Sequence, residues 1–325
     1  MLSPNAVKQV KDKLPNVLVD EPMSKHTNMR IGGPAALFMT VESPDMLTLA
    51  IQTAKEAGID WYIMGGGSNM LVSDEGYSGL MIQMAMRDIK VRNQTITVQA
   101  GAITSLVARQ AAESGLEGLE WAVGVPGTIG GAIFGNAGCY GGEISNSLVT
   151  VDCLRLPDLK AVVYPKAQCG FGYRESCFKN EPHIILRATF GLTRWDPDQL
   201  KSKVEDIVRL RKEKQPIEHA SAGCMFKNFT FTDESEVAKL KEQVKDIPAE
   251  MLAKKSISAG WLVAQTGMLG ERIGDAQISE KHGNFFMNLG NARAQDMLML
   301  VSKAKMKVRD EYNVLLEDEV QLVGF

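Results

Sequence analysis

Paired cysteines are missing from this chain. Its 325 residues include Cys139, Cys153, Cys169, Cys177 and Cys224, an odd and scattered set with no CxxC spacing. That pattern excludes a disulfide framework and a cysteine-based zinc site. Histidine is equally scarce, and His26, His183, His219 and His282 have no spacing suited to a metal. Excess charge of either sign is absent: 36 basic against 39 acidic residues leave a formal charge of -3, so no global field would hold nucleic acid or an anionic membrane. Long hydrophobic runs are lacking as well. Residues Met1 to Asp20 carry Lys8, Lys11 and Lys13 without an apolar core behind them, so neither a secretory leader nor a membrane span is expected, and the sequence reads as cytoplasmic. What remains is 45% hydrophobic and 23% charged, the balance of a globular chain long enough for two or three subdomains.

Local patterns predict mixed structure. Ser43-Pro44-Asp45 opens a helix with Leu47, Ala50, Ile51 and Ala54 on one face and Gly58 as its stop. Trp61 to Met64 reads as a buried strand that runs into Gly65-Gly66-Gly67-Ser68-Asn69 and then Met70-Leu71-Val72, so these glycines form a turn between strands. Further strands are expected at 80–84, 89–91, 95–99, 148–156, 162–164 and 184–192, with a helix over 103–113. Residues 115–142 hold ten of the 30 glycines and read as a structured loop. A helix opened by Asp196-Pro197-Asp198 ends before Pro216, followed by a charged helix over 233–245, a helix over 294–309 with Met297, Leu298, Val301, Ala304 and Val308 as its stripe, and a strand over 314–323. No internal repeat interrupts this order, and the composition shifts near Gln215.

Two glycine-rich loops carry the first chemical signal. Gly65-Gly66-Gly67-Ser68-Asn69-Met70 and Gly124-Val125-Pro126-Gly127-Thr128-Ile129-Gly130-Gly131 allow successive backbone N–H groups to approach phosphate oxygens, with Ser68, Asn69 and Thr128 as added donors. Neither ends in the Lys-Ser/Thr of a P-loop or opens a helix as GxGxxG, so ATP hydrolysis and a Rossmann domain are disfavoured. Either loop alone is as readily a tight turn. The two together, with Asn136-Ala137-Gly138, argue for a large diphosphate cofactor.

The order of Arg30-Ile31-Gly32-Gly33-Pro34, Gly65 to Leu71, Gly124 to Ala132, Asn136 to Gly142 and Tyr173-Arg174 resembles the UDP-N-acetylenolpyruvoylglucosamine reductase family. Lys214-Gln215-Pro216, Ser221 to Asn228, Ala259 to Leu262, Ile278 to His282 and Leu316 to Val320 continue the likeness, which covers roughly Lys25 to Gly324. The resemblance implies an α+β flavoenzyme of peptidoglycan precursor synthesis, and so of cell-wall biogenesis, cell shape and division. Its FAD-binding fold would be of the vanillyl-alcohol-oxidase-like kind, with subdomains over 1–85 and 86–215 and a substrate domain over 216–325. NADPH would reduce the flavin and leave, after which the enolpyruvyl ether of UDP-N-acetylglucosamine would take a hydride at its vinyl carbon and a proton at the adjacent carbon. No oligomer is implied.

The resemblance also assigns residues. Gly65, Gly66, Gly67, Ser68, Asn69, Met70, Gly124, Val125, Pro126, Gly127, Thr128, Gly130, Gly131, Asn136 and Gly138 would bind FAD. Arg174 matches the catalytic arginine, whose planar fork suits a carboxylate gaining charge, although an isolated arginine is more often a surface ion pair. Cys224 falls where the family places its proton donor, often a serine; an unplaced cysteine is more often a small buried hydrophobe. Strand alternation leaves Glu317 and Glu319 equivalent, and the family pattern selects Glu319 as the catalytic carboxylate. Tyr173, Lys214, Asn228 and Gln265 would contact the substrate or nicotinamide phosphates, though a lysine at a helix end is favoured by the dipole in any case.

Two departures stand out: Phe229 replaces the usual proline after Lys227-Asn228, and the short interval from Arg174 to Lys214 looks like the branch lacking an extra substrate-covering loop. Two other functions compete with the reductase. One is an oxygen-using oxidase of the same fold, and the other is a catalytically silent UDP-sugar-binding protein without FAD.

Overall fold

The computed structural model describes residues 2–325. The chain forms two compact units, one from the residues up to Glu21, Ala35–Gly67 and Tyr77–Glu213, the other from Pro22–Pro34, Ser68–Gly76 and Lys214–Phe325.

In the first unit, Pro34–Val41, Tyr77–Met84 and Trp61–Met64 pair in parallel, with Leu18–Pro22 at the edge of the same four-stranded sheet. Parallel pairing demands a crossover, which the helix Pro44–Glu56 supplies; Ser43 accepts the Met46 N–H at 3.2 Å as its cap, and Leu47, Ala50, Ile51 and Ala54 are buried. The strands Leu18–Pro22 and Pro34–Val41 were not anticipated, although Leu37, Phe38 and Met39 are an apolar run. A second, antiparallel sheet runs in the order Lys160–Pro165, Leu148–Arg155, His183–Gly191, Thr95–Gln99, Ile89–Arg92. One core joins the two sheets, with Leu37, Ile82, Val98 and Phe190 fully buried.

The segment 115–142 is more ordered than a loop. It contains the 3-10 turn Glu120–Gly124, the helix Ile129–Phe134 and the paired strands Gly138–Cys139 and Gly142–Glu143. Glycine lowers the local propensity, but burial of Ile129, Ala132 and Ile133 and a cap from Thr128 outweigh it.

In the second unit, Ala220–Cys224, Phe285–Asn288, Ala276–Ile278 and Arg272–Ile273 form an antiparallel sheet. The helix Ala294–Tyr312 buries Met297, Leu300, Val301, Ala304 and Val308 in this unit's core. Asp74 accepts the Ala294 and Gln295 N–H groups at 2.8 and 3.1 Å, capping that helix. The expected strand over 314–323 is a correction: only Gln321–Val323 forms one, pairing in parallel with Met70–Val72. Upstream, Val314, Leu316 and Val320 turn inward on an irregular path on which Phe226 bridges to Asp318.

Candidate active site

Gly65-Gly66-Gly67 leaves the strand Trp61–Met64 and meets the second glycine loop backbone to backbone. A Cβ on Gly65 would lie 2.4 Å from Thr128 Oγ1, and one on Gly66 3.1 Å from Gly127 Cα. The second loop is held from behind: Thr104 N–H donates to Gly127 O at 3.0 Å, Ile129 N–H to Ala102 O at 2.9 Å and Gly130 N–H to Ala100 O at 2.8 Å. Val125 and Pro126 precede this clamp and are half-buried and exposed. The structure therefore brings together the two loops that the sequence singled out, Gly66 against the backbone of Gly127 and Gly65 against the hydroxyl of Thr128. Glycine-rich backbone with a threonine hydroxyl beside it has the chemistry that suits the diphosphate of a flavin dinucleotide.

Gly124 packs against Arg211, whose Nη1 would lie 3.3 Å from a Cβ there. Gly138 is half-buried. Asn136 is buried; its Oδ1 accepts the Ser145 N–H at 3.1 Å and its Nδ2 donates to Gly172 O at 2.9 Å. That second bond ties the glycine-rich segment to the hairpin carrying Arg174.

The hairpin runs from Cys169 to Cys177, closed at its base by Cys177 N–H on Cys169 O at 2.8 Å and near its tip by reciprocal bonds between Gly172 and Glu175. Arg174 sits at the tip with φ +56°, a conformation that non-glycine residues adopt only when surroundings impose it. Ser176 Oγ donates to Phe134 O at 2.7 Å, Lys179 Nζ donates to Arg174 O at 2.5 Å, and Arg174 Nη2 donates to Gly138 O at 3.0 Å. The guanidinium lies 5.3 Å from the centre of the Tyr173 ring. Burial pushes the neighbouring Cys139 thiol up to about 11, although Arg211 and Arg174 pull it the other way.

In the second unit, Cys224 ends its strand opposite Phe285, and the chain continues through Met225, Phe226 and Lys227 beside residues 317–319. Glu319 N–H donates to Met225 O at 2.8 Å and Lys227 N–H to Glu317 O at 2.9 Å. Cys224 and Glu319 thus flank one short backbone segment. Glu317 points away, its side chain 75% exposed and paired with Lys227 at 3.4 Å, while Asp318 pairs with Lys305 at 2.6 Å.

Asn69, from the first glycine loop, lies in this same unit and donates from Nδ2 to Glu319 O at 3.0 Å, and Met70 is buried in the following strand. Asn228 Oδ1 accepts the Ala259 N–H at 3.2 Å at the start of the helix Ala259–Gln265. Phe229, in place of proline, keeps an N–H and begins a short strand paired with Ser256–Ile257. Lys214 and Gln265 each end a helix and are exposed. Sequence reasoning missed Arg211 beside Gly124, for which the basic cluster 209–214 was the only signal, and Asn284, for which there was none. Among the described residues no group of His, Cys, Asp or Glu is arranged to hold a metal, and no helix is long and apolar enough to cross a membrane.

The comparisons agree with this geometry. Residues 35–158 match the family model of an FAD binding domain, and residues 215–323 that of the UDP-N-acetylenolpyruvoylglucosamine reductase C-terminal domain. Fold and cradle together define a flavin-dependent oxidoreductase. The UDP-N-acetylenolpyruvoylglucosamine reductase of Clostridium botulinum is 37% identical over 310 residues, covering 95% of this chain and 93% of its own. That of Caldicellulosiruptor bescii is 36% identical over 310 residues, covering 94% and 90%. The crystal structure of the reductase from Thermus caldophilus superposes with a TM-score of 0.73 at 32% identity, covering 95% of this chain and 98% of that one. The chain belongs to the UDP-N-acetylenolpyruvoylglucosamine reductase family.

Proposed function

We infer that this protein uses NADPH to reduce UDP-N-acetyl-3-O-enolpyruvylglucosamine to UDP-N-acetylmuramate, a step of peptidoglycan precursor synthesis, in the cytoplasm. The family assignment over nearly the whole chain supports the reaction. The observation that carries the residue roles is the flanking of one backbone segment by Cys224 and Glu319, an acid and a carboxylate. Bound FAD supplies the hydride chemistry between NADPH and the enolpyruvyl group.

The chain's own residues hold and protonate. The loops at Gly65–Gly67 and Gly124–Gly131, with Ser68 and Asn69, bind FAD, and Asn136 and Gly138 brace that site from the side of the Arg174 hairpin. Residues 1–85 and 86–215 act as the two parts of the FAD-binding region and 216–325 as the substrate domain, with Pro22–Pro34 and Ser68–Gly76 packed into the second compact unit. Arg174 holds the substrate carboxylate as negative charge grows on it, with Tyr173 stacked against the guanidinium. Cys224 delivers its thiol proton to the carbon beside the carboxylate, and Glu319 assists from the same segment. Lys214, Asn228 and Gln265 contact the nucleotide portions of substrate and NADPH.

The test is anaerobic. Holoprotein reduced by NADPH is mixed with the enolpyruvyl substrate, and the flavin spectrum is followed while product is identified by mass. Rapid reoxidation with UDP-N-acetylmuramate formed is the expected result. A flavin that stays reduced overturns the reading, and fast reoxidation by oxygen without substrate identifies an oxidase instead. A colourless protein stabilised by UDP-sugars identifies the silent binding protein.

A further inference from the structure

We propose that Asn284 is the positioning residue that sets Cys224 and Glu319 in register, by clamping the backbone segment that both of them flank. The inference rests on the roles just given to those two residues. Asn284 is 2% exposed and lies in the turn between His282 and the strand Phe285–Asn288. Its side chain treats Phe226 as a strand would: Oδ1 accepts the Phe226 N–H and Nδ2 donates to Phe226 O, both at 2.8 Å. Its own carbonyl accepts the Met225 N–H at 2.8 Å, and its own N–H donates to His282 Nδ1 at 3.2 Å.

Residues 225–227 are consequently bonded on both sides. Asn284 occupies one edge, and residues 317–319 the other through Lys227 N–H on Glu317 O and Glu319 N–H on Met225 O. Regular pairing cannot do this on the first edge, because the register between Ala220–Cys224 and Phe285–Asn288 shifts between Ser221 and Cys224, where Gly223 has φ +81°. A side-chain amide fills the gap, since it alone offers both a donor and an acceptor in the spacing of a peptide group. Removing it frees Phe226 N–H and O in a buried place and loosens Met225, to which Cys224 is joined covalently and Glu319 by hydrogen bond. Displacement of a reacting group by about an ångström costs on the order of a hundredfold in rate.

The experiment compares Asn284→Ala and Asn284→Asp in the two half-reactions of the FAD-loaded protein. In Asn284→Ala, enolpyruvyl reduction by the reduced enzyme is expected to slow by roughly a hundredfold, while flavin reduction by NADPH stays within about twofold of native. Asn284→Asp keeps the acceptor for Phe226 N–H, but its carboxylate cannot donate to Phe226 O until it is protonated. Its enolpyruvyl half-reaction should therefore recover as pH falls, over and above the rise that protonation of Cys224 gives native protein and Asn284→Ala alike. A mere packing role would not produce that profile. Equal rates for native and Asn284→Ala overturn the proposal. If Asn284→Ala does not fold, Asn284→Asp decides alone, and the absence of acid recovery beyond that of native protein overturns it. Cys224→Ala, run alongside, separates the two ideas: when it is slow and Asn284→Ala is normal, only the clamp is lost, whereas a normal Cys224→Ala removes the donor role and the clamp with it.

Discussion

Asn69 and Glu319, 250 residues apart, are joined by a 3.0 Å hydrogen bond from the asparagine amide to the glutamate backbone carbonyl. Gln321 N–H returns the contact to Asn69 O at 3.0 Å. A residue of the first glycine loop therefore fixes the backbone beneath the proposed catalytic carboxylate. Glu317 O also accepts a bond, from Lys227 N–H at 2.9 Å, but its side chain is 75% exposed in its ion pair with Lys227, a geometry worth about 0–1 kcal/mol. Glu319→Gln should slow enolpyruvyl reduction by roughly a hundredfold, and Glu317→Gln should leave it within about twofold. Stopped-flow measurement of reduced-flavin reoxidation checks the pair, and equal effects would remove the distinction.

Cys224 calls for a similar contrast. Cys224→Ala should keep flavin reduction by NADPH and lose roughly a hundredfold or more in enolpyruvyl reduction, the scale of a positioned acid. Cys224→Ser retains a proton donor and should keep much more activity. A normal half-reaction in the alanine variant would sink the assignment.

The cradle is tested at Gly65. Alanine there would bring its Cβ within 2.4 Å of Thr128 Oγ1, so the hydroxyl that caps the helix Ile129–Phe134 must move. Overpacking of about 1–3 kcal/mol corresponds to FAD binding weaker by about fivefold to somewhat over a hundredfold. Gly135→Ala, whose Cβ would meet its nearest atom at 3.8 Å, is the control and should bind FAD normally. Flavin fluorescence titration reads both.

Alkaline pH gives a further prediction. Burial raises the Cys139 thiol from 9.0 in the unfolded chain to about 11 in the fold, so the folded state holds the proton more tightly. Its share of stability is complete below about pH 9, declines as pH rises, and is lost above about 11. Cys139→Ser retains a donor to Trp121 O but does not titrate there, so it should lose less stability than native protein between about pH 8 and pH 10.5 in urea denaturation. Identical losses would show that the thiol does not titrate in the fold as described.

Much of this was legible in the residues. The helix Pro44–Glu56 announced itself through Ser43 and the spacing of Leu47, Ala50, Ile51 and Ala54, because a single face meets a single core. The glycine loops were legible as a pair but their contact was not, since Gly65 and Thr128 meet through tertiary packing. The strand over 314–323 failed because its apolar residues suggested alternation, whereas continuous pairing is found only over Gln321–Val323 and residues 317–319 make an isolated bridge to Phe226. Without that alternation the choice of Glu319 rested on the family pattern, and the surface pairing of Glu317 supplies the physical contrast. Asn284 left no trace, because one buried asparagine between His282-Gly283 and Phe285 has no pattern until Phe226 is placed beside it.

The parallel pair Met70–Val72 and Gln321–Val323 also bears on how the molecule is made. The first of these strands leaves the ribosome early, and Leu71 is wholly buried in the finished protein alongside Met29 and Ile31. At roughly 5–20 residues per second, its partner emerges tens of seconds later. The second unit cannot close until Gln321–Val323 have been translated, while the first has all of its residues by Glu213. A fragment limited to residues 215–323, the span of the C-terminal family match, would lack three of its own core residues, so the evolutionary domain and the folding unit are different objects.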